Sequence, residues 1–530
     1  MSSLQQPLSS HWADQVAFRL CKKNDKDSYT LASGITPSGV VHIGNFREVI
    51  TVDLVARAVR SLGRKARFIY SWDDFDTFRK VPKNLPRQEE LVKYLRLPIS
   101  VVPDPYDKDE SYAAHNEKVF EKELDQLGIH PEYIYQYKQY SSGKYATEIR
   151  KALEQKDKIA SILNEWRSEP LGKDWLPTTM YCESCGKDEM DYERYDGEWS
   201  YSYKCKNCGH EATTDIRTTK NLKLNWRTDW PMRWAFEKVD FEPGGKDHSS
   251  QGGSFDTAKR IVSEVWNWKA PEYQQYDFVS IKGLTGKMSS SSGVLISLSE
   301  ALDVYDPQMI RWIFVMQKPN RDFALAFDSD VIKNYDEFDA QEKLVFNDKS
   351  NSKWAFFKRA YELSLTTETT IDGMRPPVRA PFRELCNRLQ ICDMDIDKTY
   401  SKFYSSTITS ESDIKNFHSR SARAIFWLEH YASEEFKYRL NSQKILDSQL
   451  GLSSNVTEAI CNLKQMISSI DLSSIDTKDL NQKIYDCFNT ICDSKEFFSA
   501  VYQKIIGRPQ GPRLPSFLKE IGKERVVNLL

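Results

Sequence analysis

The chain is 530 residues long, with 74 Lys plus Arg against 76 Asp plus Glu and a net charge of −2. That length predicts three or four domains at roughly 100–200 residues each. The even balance excludes a polycation that holds nucleic acid by bulk charge alone. Ten cysteines are too few for a disulfide scaffold, and no apolar run approaches the ~20 residues that span a bilayer. A cytoplasmic protein without membrane contact is expected, and the first twenty residues lack the basic and apolar regions of a signal peptide.

In chain order, DSYTLASGI (27–35) and RKARFIYSWDD (64–74) read as strands. Between them, NFREVITVDLVARAVRSLG (45–63) spaces Val49, Val52, Ala56 and Val59 by three and four and stops at Gly63, which is a helix pattern. Strand, glycine turn, helix and strand make a βαβ unit and predict a parallel sheet. Residues 1–115 thus read as the first half of an α/β domain, and 116–225 as an insertion with a tyrosine-rich, cysteine-bearing segment. Residues 226–345 form the second half, where YDFVSIKGL (276–284) is β-rich, and 346–530 are helical throughout.

Cys182, Cys185, Cys205 and Cys208 form two C-x2-C pairs, each followed by a glycine. Four soft ligands at this spacing suit tetrahedral Zn²⁺, and a complete set leaves no open position, so the role is structural.

SGITPSGVVHIGN (33–45) falls at the turn from strand to helix. Gly34, Pro37 and Gly39 shape a loop that a ligand can approach, and His42 and Asn45 stand on the first helical turn. Exposed N–H groups and the helix dipole attract a polyphosphate there. Further on, KGLTGKMSSSSGV (282–294) sets Lys287 beside the hydroxyls of Ser289 to Ser292.

PSGVVHIGN resembles the HIGH signature, and KMSSS the KMSKS signature, of class I aminoacyl-tRNA synthetases. HWADQVA (11–17), SWDDFDTFRKVP (71–82), LNWRTDWPMRW (224–234), GKDHSSQGGS (245–254) and GPRLPSFLKEIG (511–522) are similar to the lysyl branch of that class. The resemblance implies a Rossmann-type catalytic domain with a zinc-ribbon insertion and an all-α anticodon-binding domain at 346–530. It also implies activation of L-lysine with ATP and Mg²⁺ and transfer to tRNA(Lys), with activation dependent on bound tRNA. His42, Asn45 and Lys287 would be catalytic. Thr36, Pro37, Ser38, Gly39, Gly44, Met288, Ser289, Ser290 and Ser291 would complete the ATP site. Ser290 stands where the second lysine of KMSKS would be, so another cation must contribute. The alternatives are a glutamyl-type synthetase, disfavoured by Ala32 where that enzyme carries an arginine, and a non-catalytic RNA-binding descendant.

For the amino acid, an ammonium asks for carboxylates and aromatic faces. Asp73, Asp74 and Asp76 follow the second strand, with Asp76 also able to pair Arg79. Trp226, Trp230, His248 and Tyr276 come from the second half. Family resemblance adds Gly34 and Thr36. DPYDKDESYAAH (104–115) is expected to be a solvated acidic loop rather than a second metal site, and a monomer is expected.

Overall fold

The computed structural model describes residues 6–282 and 296–530. It divides into two compact units: residues 1–302, 307–325 and 344–374 form the first, and 303–306, 326–343 and 375–530 the second. Among the described residues, no helix is long and apolar enough to cross a membrane.

The first unit is organised by a five-stranded parallel sheet. Its strands are β1 (Ser28–Ile35), β2 (Lys65–Trp72), β3 (Glu132–Tyr135), β9 (Val239–Gly245) and β10 (Glu272–Tyr276), in the order β10-β9-β1-β2-β3. The chain therefore leaves the sheet after β3 and returns on the other side of β1. Between β1 and β9 the winding reverses, and in such sheets ligands collect there, outside the carboxyl ends of the strands. Helix α1 (Trp12–Lys23) precedes β1, and α2 (Ile43–Ser61) links β1 to β2 and is buried along most of its length.

Gly34 is required by packing. A Cβ there would lie 2.7 Å from the Ser71 carbonyl oxygen of the paired strand. α1 is fixed by His11, whose Nδ1 accepts from Ala13 N–H and whose Nε2 lies 3.0 Å from the Val315 carbonyl oxygen. Asp14 of the same segment holds Arg359 at 2.8 Å. The HWADQVA segment is thus structural, and Arg359 is tied to the first unit.

The insertion carries β4 (Thr178–Met180) paired with β8 (Leu222–Leu224). Around the cysteines it adds a three-stranded antiparallel ribbon of β5 (Met190–Tyr195), β6 (Ser200–Cys205) and β7 (Glu211–Asp215). The β-rich stretch at 276–284 is not one strand. β10 ends at Tyr276, Asp277 N–H turns to the Pro319 carbonyl, and β11 (Val279–Ile281) pairs instead with β12 (Phe323–Leu325). The sheet also contains a strand that its sequence hides: β9 reads VDFEPGG, yet all seven residues are buried.

The second unit is helical and has its own apolar core, built from residues such as Leu463, Ile484, Phe497, Val501 and Phe517. Arg420 is buried in it and held to Asp339 by two hydrogen bonds of 2.7 and 2.8 Å. Lys519 donates to the Ile475 carbonyl, and Arg508 to the Glu434 carbonyl.

Candidate active site

At the carboxyl ends of β1, β2 and β10 lies a cleft of about 480 Å³. Its wall includes Gly34, Thr36, His42, Gly44, Asn45, Asp73, Trp226, His248 and Tyr276. The strand pair β4/β8 of the insertion adds Thr179, Lys223 and Leu224. Residues far apart in the chain meet here because the switch in winding brings both halves of the sheet to one edge.

His42 is the N-cap of α2. Its Nδ1 accepts from Gly44 N–H at 3.1 Å, which leaves the ring proton on Nε2. Asn45 Oδ1 accepts from His42 N–H at 3.2 Å, so its amide NH₂ remains the donor end. This reciprocal cap fixes both side chains at the positive end of the helix. The pair offers hydrogen-bond donors to an anion. Pro37, Ser38 and Gly39 are not on the cleft wall. The Ser38 carbonyl accepts from Tyr112 OH and the Pro37 carbonyl from Asn116, so the turn faces the helix Tyr112–Gln126. Lys287, Met288, Ser289, Ser290 and Ser291 lie outside the described residues.

The three aspartates after β2 are all engaged. Asp73 is salt-bridged to Arg233 at 2.7 Å. Burial still raises its carboxyl above the usual range, against the pull of Arg233. Asp74 is buried away from the cleft wall and accepts from Tyr137 N–H at 2.7 Å. Burial pushes it up to about 7. Asp76 accepts from Lys223 Nζ and from Thr36 Oγ1. Burial opposes its charge, but the Lys223 ammonium outweighs that and holds it below the ordinary value. Its partner is therefore Lys223, and not Arg79.

Two carboxylates that the sequence did not single out form no salt bridge among the described residues. A second cavity of about 70 Å³ adjoins the cleft and is lined by Ala32, Glu48, Trp230, Trp234, Glu242 and His248, among others. Glu48 accepts from Ser33 Oγ at 2.9 Å, Gly34 N–H at 3.1 Å and Tyr276 OH at 2.6 Å. Glu242, in the middle of buried β9, accepts the indole N–H groups of Trp230 at 2.9 Å and Trp234 at 2.6 Å. Among the described residues neither is salt-bridged to Lys or Arg. Burial raises Glu48, and burial with the facing Glu48 lifts Glu242 to about 7. Trp226 and Trp230 stack at 5.2 Å and 13°, with His248 at 6.1 Å from Trp230. The space thus combines aromatic faces with hydrogen-bonded carboxylates that form no salt bridge, and the arginine that lines it, Arg233, is held by Asp73 and Asp229. Val239, Asp240, Phe241 and Glu242 alternate apolar and polar, a short strand signal, but the Pro243, Gly244 and Gly245 that follow read as a turn.

The four cysteines converge. Cys182 and Cys208 sulfurs are 3.6 Å apart, as are Cys185 and Cys205, and all four lie within 4.8 Å. A tetrahedral zinc with Zn–S of about 2.3 Å places its sulfurs roughly 3.8 Å apart. The donor set and its spacing fit that ion. Gly186 and Gly209 adopt φ of 76° and 71° directly after each pair, the left-handed turn that favours glycine. The ribbon can hold a metal ion.

Asp104, Asp109 and His115 also come within 4.8 Å. Asp104 is occupied by the backbone N–H groups of Tyr106, Lys108 and Asp109, while Asp109 meets His115 at 3.0 Å and Lys118 at 2.8 Å. These carboxylates stitch the loop together with its own donors.

Residues 10–367 match the family model described as tRNA synthetases class I (K). A lysine–tRNA ligase from Treponema pallidum is 44% identical, with 98% of each chain covered. One from Thermococcus kodakarensis is 40% identical over 98% of this chain and 99% of its own. Among solved structures, a glutamate tRNA ligase from Elizabethkingia meningosepticum covers 94% of the chain at 13% identity and a TM-score of 0.43.

Proposed function

Since the chain belongs to the class I (K) family of tRNA synthetases, we propose that it joins L-lysine to tRNA(Lys) through a lysyl-adenylate. The observation that carries the choice of amino acid is the pair Glu48 and Glu242: buried carboxylates outside any salt bridge among the described residues, beside stacked tryptophans. A lysine ammonium supplies the missing charge and three donors, whereas a glutamate side chain would add a third anion at a cost of several kcal/mol. Gly34, Thr36, Trp226, Trp230, His248 and Tyr276 complete the pocket. Asp73 and Asp74 act at one remove, through Arg233 and the Tyr137 backbone.

In the first step a lysine carboxylate oxygen attacks the α-phosphorus of ATP, and the bond to the β-phosphate oxygen breaks. His42 Nε2–H and the Asn45 amide donate to phosphate oxygens as charge moves onto pyrophosphate. Lys287 of the KMSSS segment would add a cation. Mg²⁺ enters with the triphosphate and shares its charge. In the second step a terminal ribose hydroxyl of the tRNA takes the lysyl group and AMP leaves. The helical stretch 346–530 is assigned to the tRNA anticodon, and tRNA binding is assigned to ordering the lysine pocket.

Pyrophosphate exchange measured across the twenty amino acids, with no tRNA, with tRNA(Lys) and with an anticodon-altered tRNA(Lys), tests this reading. Exchange should be confined to lysine and depend on the unaltered tRNA. Because Glu242 rises to about 7 in the empty pocket, protonation competes with lysine below that pH. The lysine KM should then climb by about tenfold per unit as pH falls from 7, while the ATP KM moves less. Equal exchange with glutamate, or a lysine KM flat from pH 8 to 6, would contradict the pocket.

The ribbon is assigned a structural zinc held by Cys182, Cys185, Cys205 and Cys208. Binding and folding of such a module are coupled. Purified Cys205→Ser should contain no stoichiometric zinc and lose protease resistance near residues 180–212, with the second unit still folded. Full zinc content in that variant would rule out the four-cysteine site.

A further inference from the structure

Among the described residues, the main cleft is lined by the carboxylates of Glu48, Asp73, Asp76, Asp247 and Asp277 and by two cations, Lys223 and Arg79. A polyanion entering here calls for a cation that these acids do not already hold. Lys223 does not supply one: it is buried and held by Asp76. Nor does nearby Lys246, which faces Asp277 at 3.4 Å, or Arg233, which is shared between Asp73 and Asp229.

Arg79 differs from all of these. It is exposed at the cleft wall, and among the described residues its guanidinium meets no acid and donates no hydrogen bond. Other arginines near it are paired, Arg96 with Asp188 at 2.8 Å and Arg87 with Glu90 and Asp107. The backbone beneath Arg79 is nevertheless rigid. Phe78 is buried, its N–H donates to the Leu97 carbonyl at 2.7 Å, and its carbonyl accepts from Arg96 N–H at 2.9 Å. Thr77 Oγ1 is fixed between Tyr181 OH at 2.9 Å and Asp188 at 2.7 Å. A fixed base with an uncommitted planar head is prepared for an anion that is not part of the protein.

We propose that Arg79 binds a substrate phosphate in this cleft, using the forked donors that suit a phosphate bidentately. This rests on the synthetase reading above. Two sources share the chemistry, the triphosphate of ATP and the backbone phosphate at the acceptor end of tRNA, and the test separates them.

Arg79→Gln and Arg79→Lys remove no contact within the protein, so both should melt like wild type. Pyrophosphate exchange with varied ATP at saturating tRNA reads the first source. Single-turnover transfer from preformed lysyl-adenylate, with varied tRNA, reads the second. Arg79→Gln should lose on the order of 10²-fold in one of these, the scale of one preorganised donor, and Arg79→Lys should recover part of it. A loss in exchange with raised ATP KM assigns the phosphate to ATP; a loss confined to transfer with raised tRNA KM assigns it to the acceptor end. Wild-type rates for Arg79→Gln in both assays would overturn the proposal. Wild-type enzyme inert toward lysine would instead bring down the reading it rests on.

Discussion

His42→Ala is expected to slow lysyl-adenylate formation by on the order of 10²-fold or more, with a much smaller change in lysine affinity. The size follows from losing one donor preorganised toward charge that develops only in the transition state. His42 has two tasks, because its Nδ1 also caps α2 through Gly44 N–H. Losing the cap alone costs about 1 kcal/mol of stability, far less than unfolds a domain with its own core. His42→Asn separates the tasks: asparagine caps helices well but presents its donor elsewhere. It should fold like wild type and still be slow. Single-turnover adenylate formation with lysine held above KM measures the effect, and an unchanged rate in His42→Ala would take this residue out of the chemistry.

Asp53→Ala should destabilise the first unit by about 3–5 kcal/mol, the penalty for stripping a buried ion cluster of one partner. Asp53, on α2, forms an ion pair with Arg57 at 3.0 Å and accepts a hydrogen bond from Arg311 at 2.6 Å, and all three side chains are nearly inaccessible. Arg311 lies on the helix Pro307–Val315, so this cluster ties the helix of the HIGH-like motif to the segment following β11. Without the carboxylate, Arg57 and Arg311 would face each other as buried like charges. Burial acts against the Asp53 charge, but the two arginines outweigh it and hold its carboxyl below the ordinary carboxylate value. A depressed native value means the stabilisation is complete above the unfolded value of about 4 and disappears as pH falls through the native one. Urea unfolding of wild type and Asp53→Ala should therefore diverge at pH 7 and converge only in strong acid. Equal midpoints at pH 7 would show that the cluster contributes nothing.

How legible the site was depended on how local its signal was. The βαβ unit could be read because helix period, glycine stop and strand composition all fall within fifty residues. The HIGH-like turn followed, since a cap and its helix are neighbours in sequence. The four cysteines could be read because metal geometry demands their spacing. The stretch 276–284 could not be divided correctly: its composition suits a strand throughout, and only the Asp277 bond to Pro319 breaks it into two sheets.

The carboxylates show the same limit more sharply. Asp73, Asp74 and Asp76 sit together after a strand and look like an ammonium site, yet each meets a partner that is remote in sequence, namely Arg233, the Tyr137 backbone and Lys223. Glu48 looks like an ordinary polar position of a helix, and Glu242 like a strand breaker beside Pro243 and Gly244. The sequence alone determined the α/β class, the four-cysteine ribbon and the helix cap at His42 and Asn45, because each is specified by residues within a few turns of one another. Only the tertiary structure decided which charges cancel and which remain for a substrate. That balance depends on β9 lying beside β1, where Glu242 and Glu48 come to face one cavity whose lining arginine, Arg233, is already held by Asp73 and Asp229.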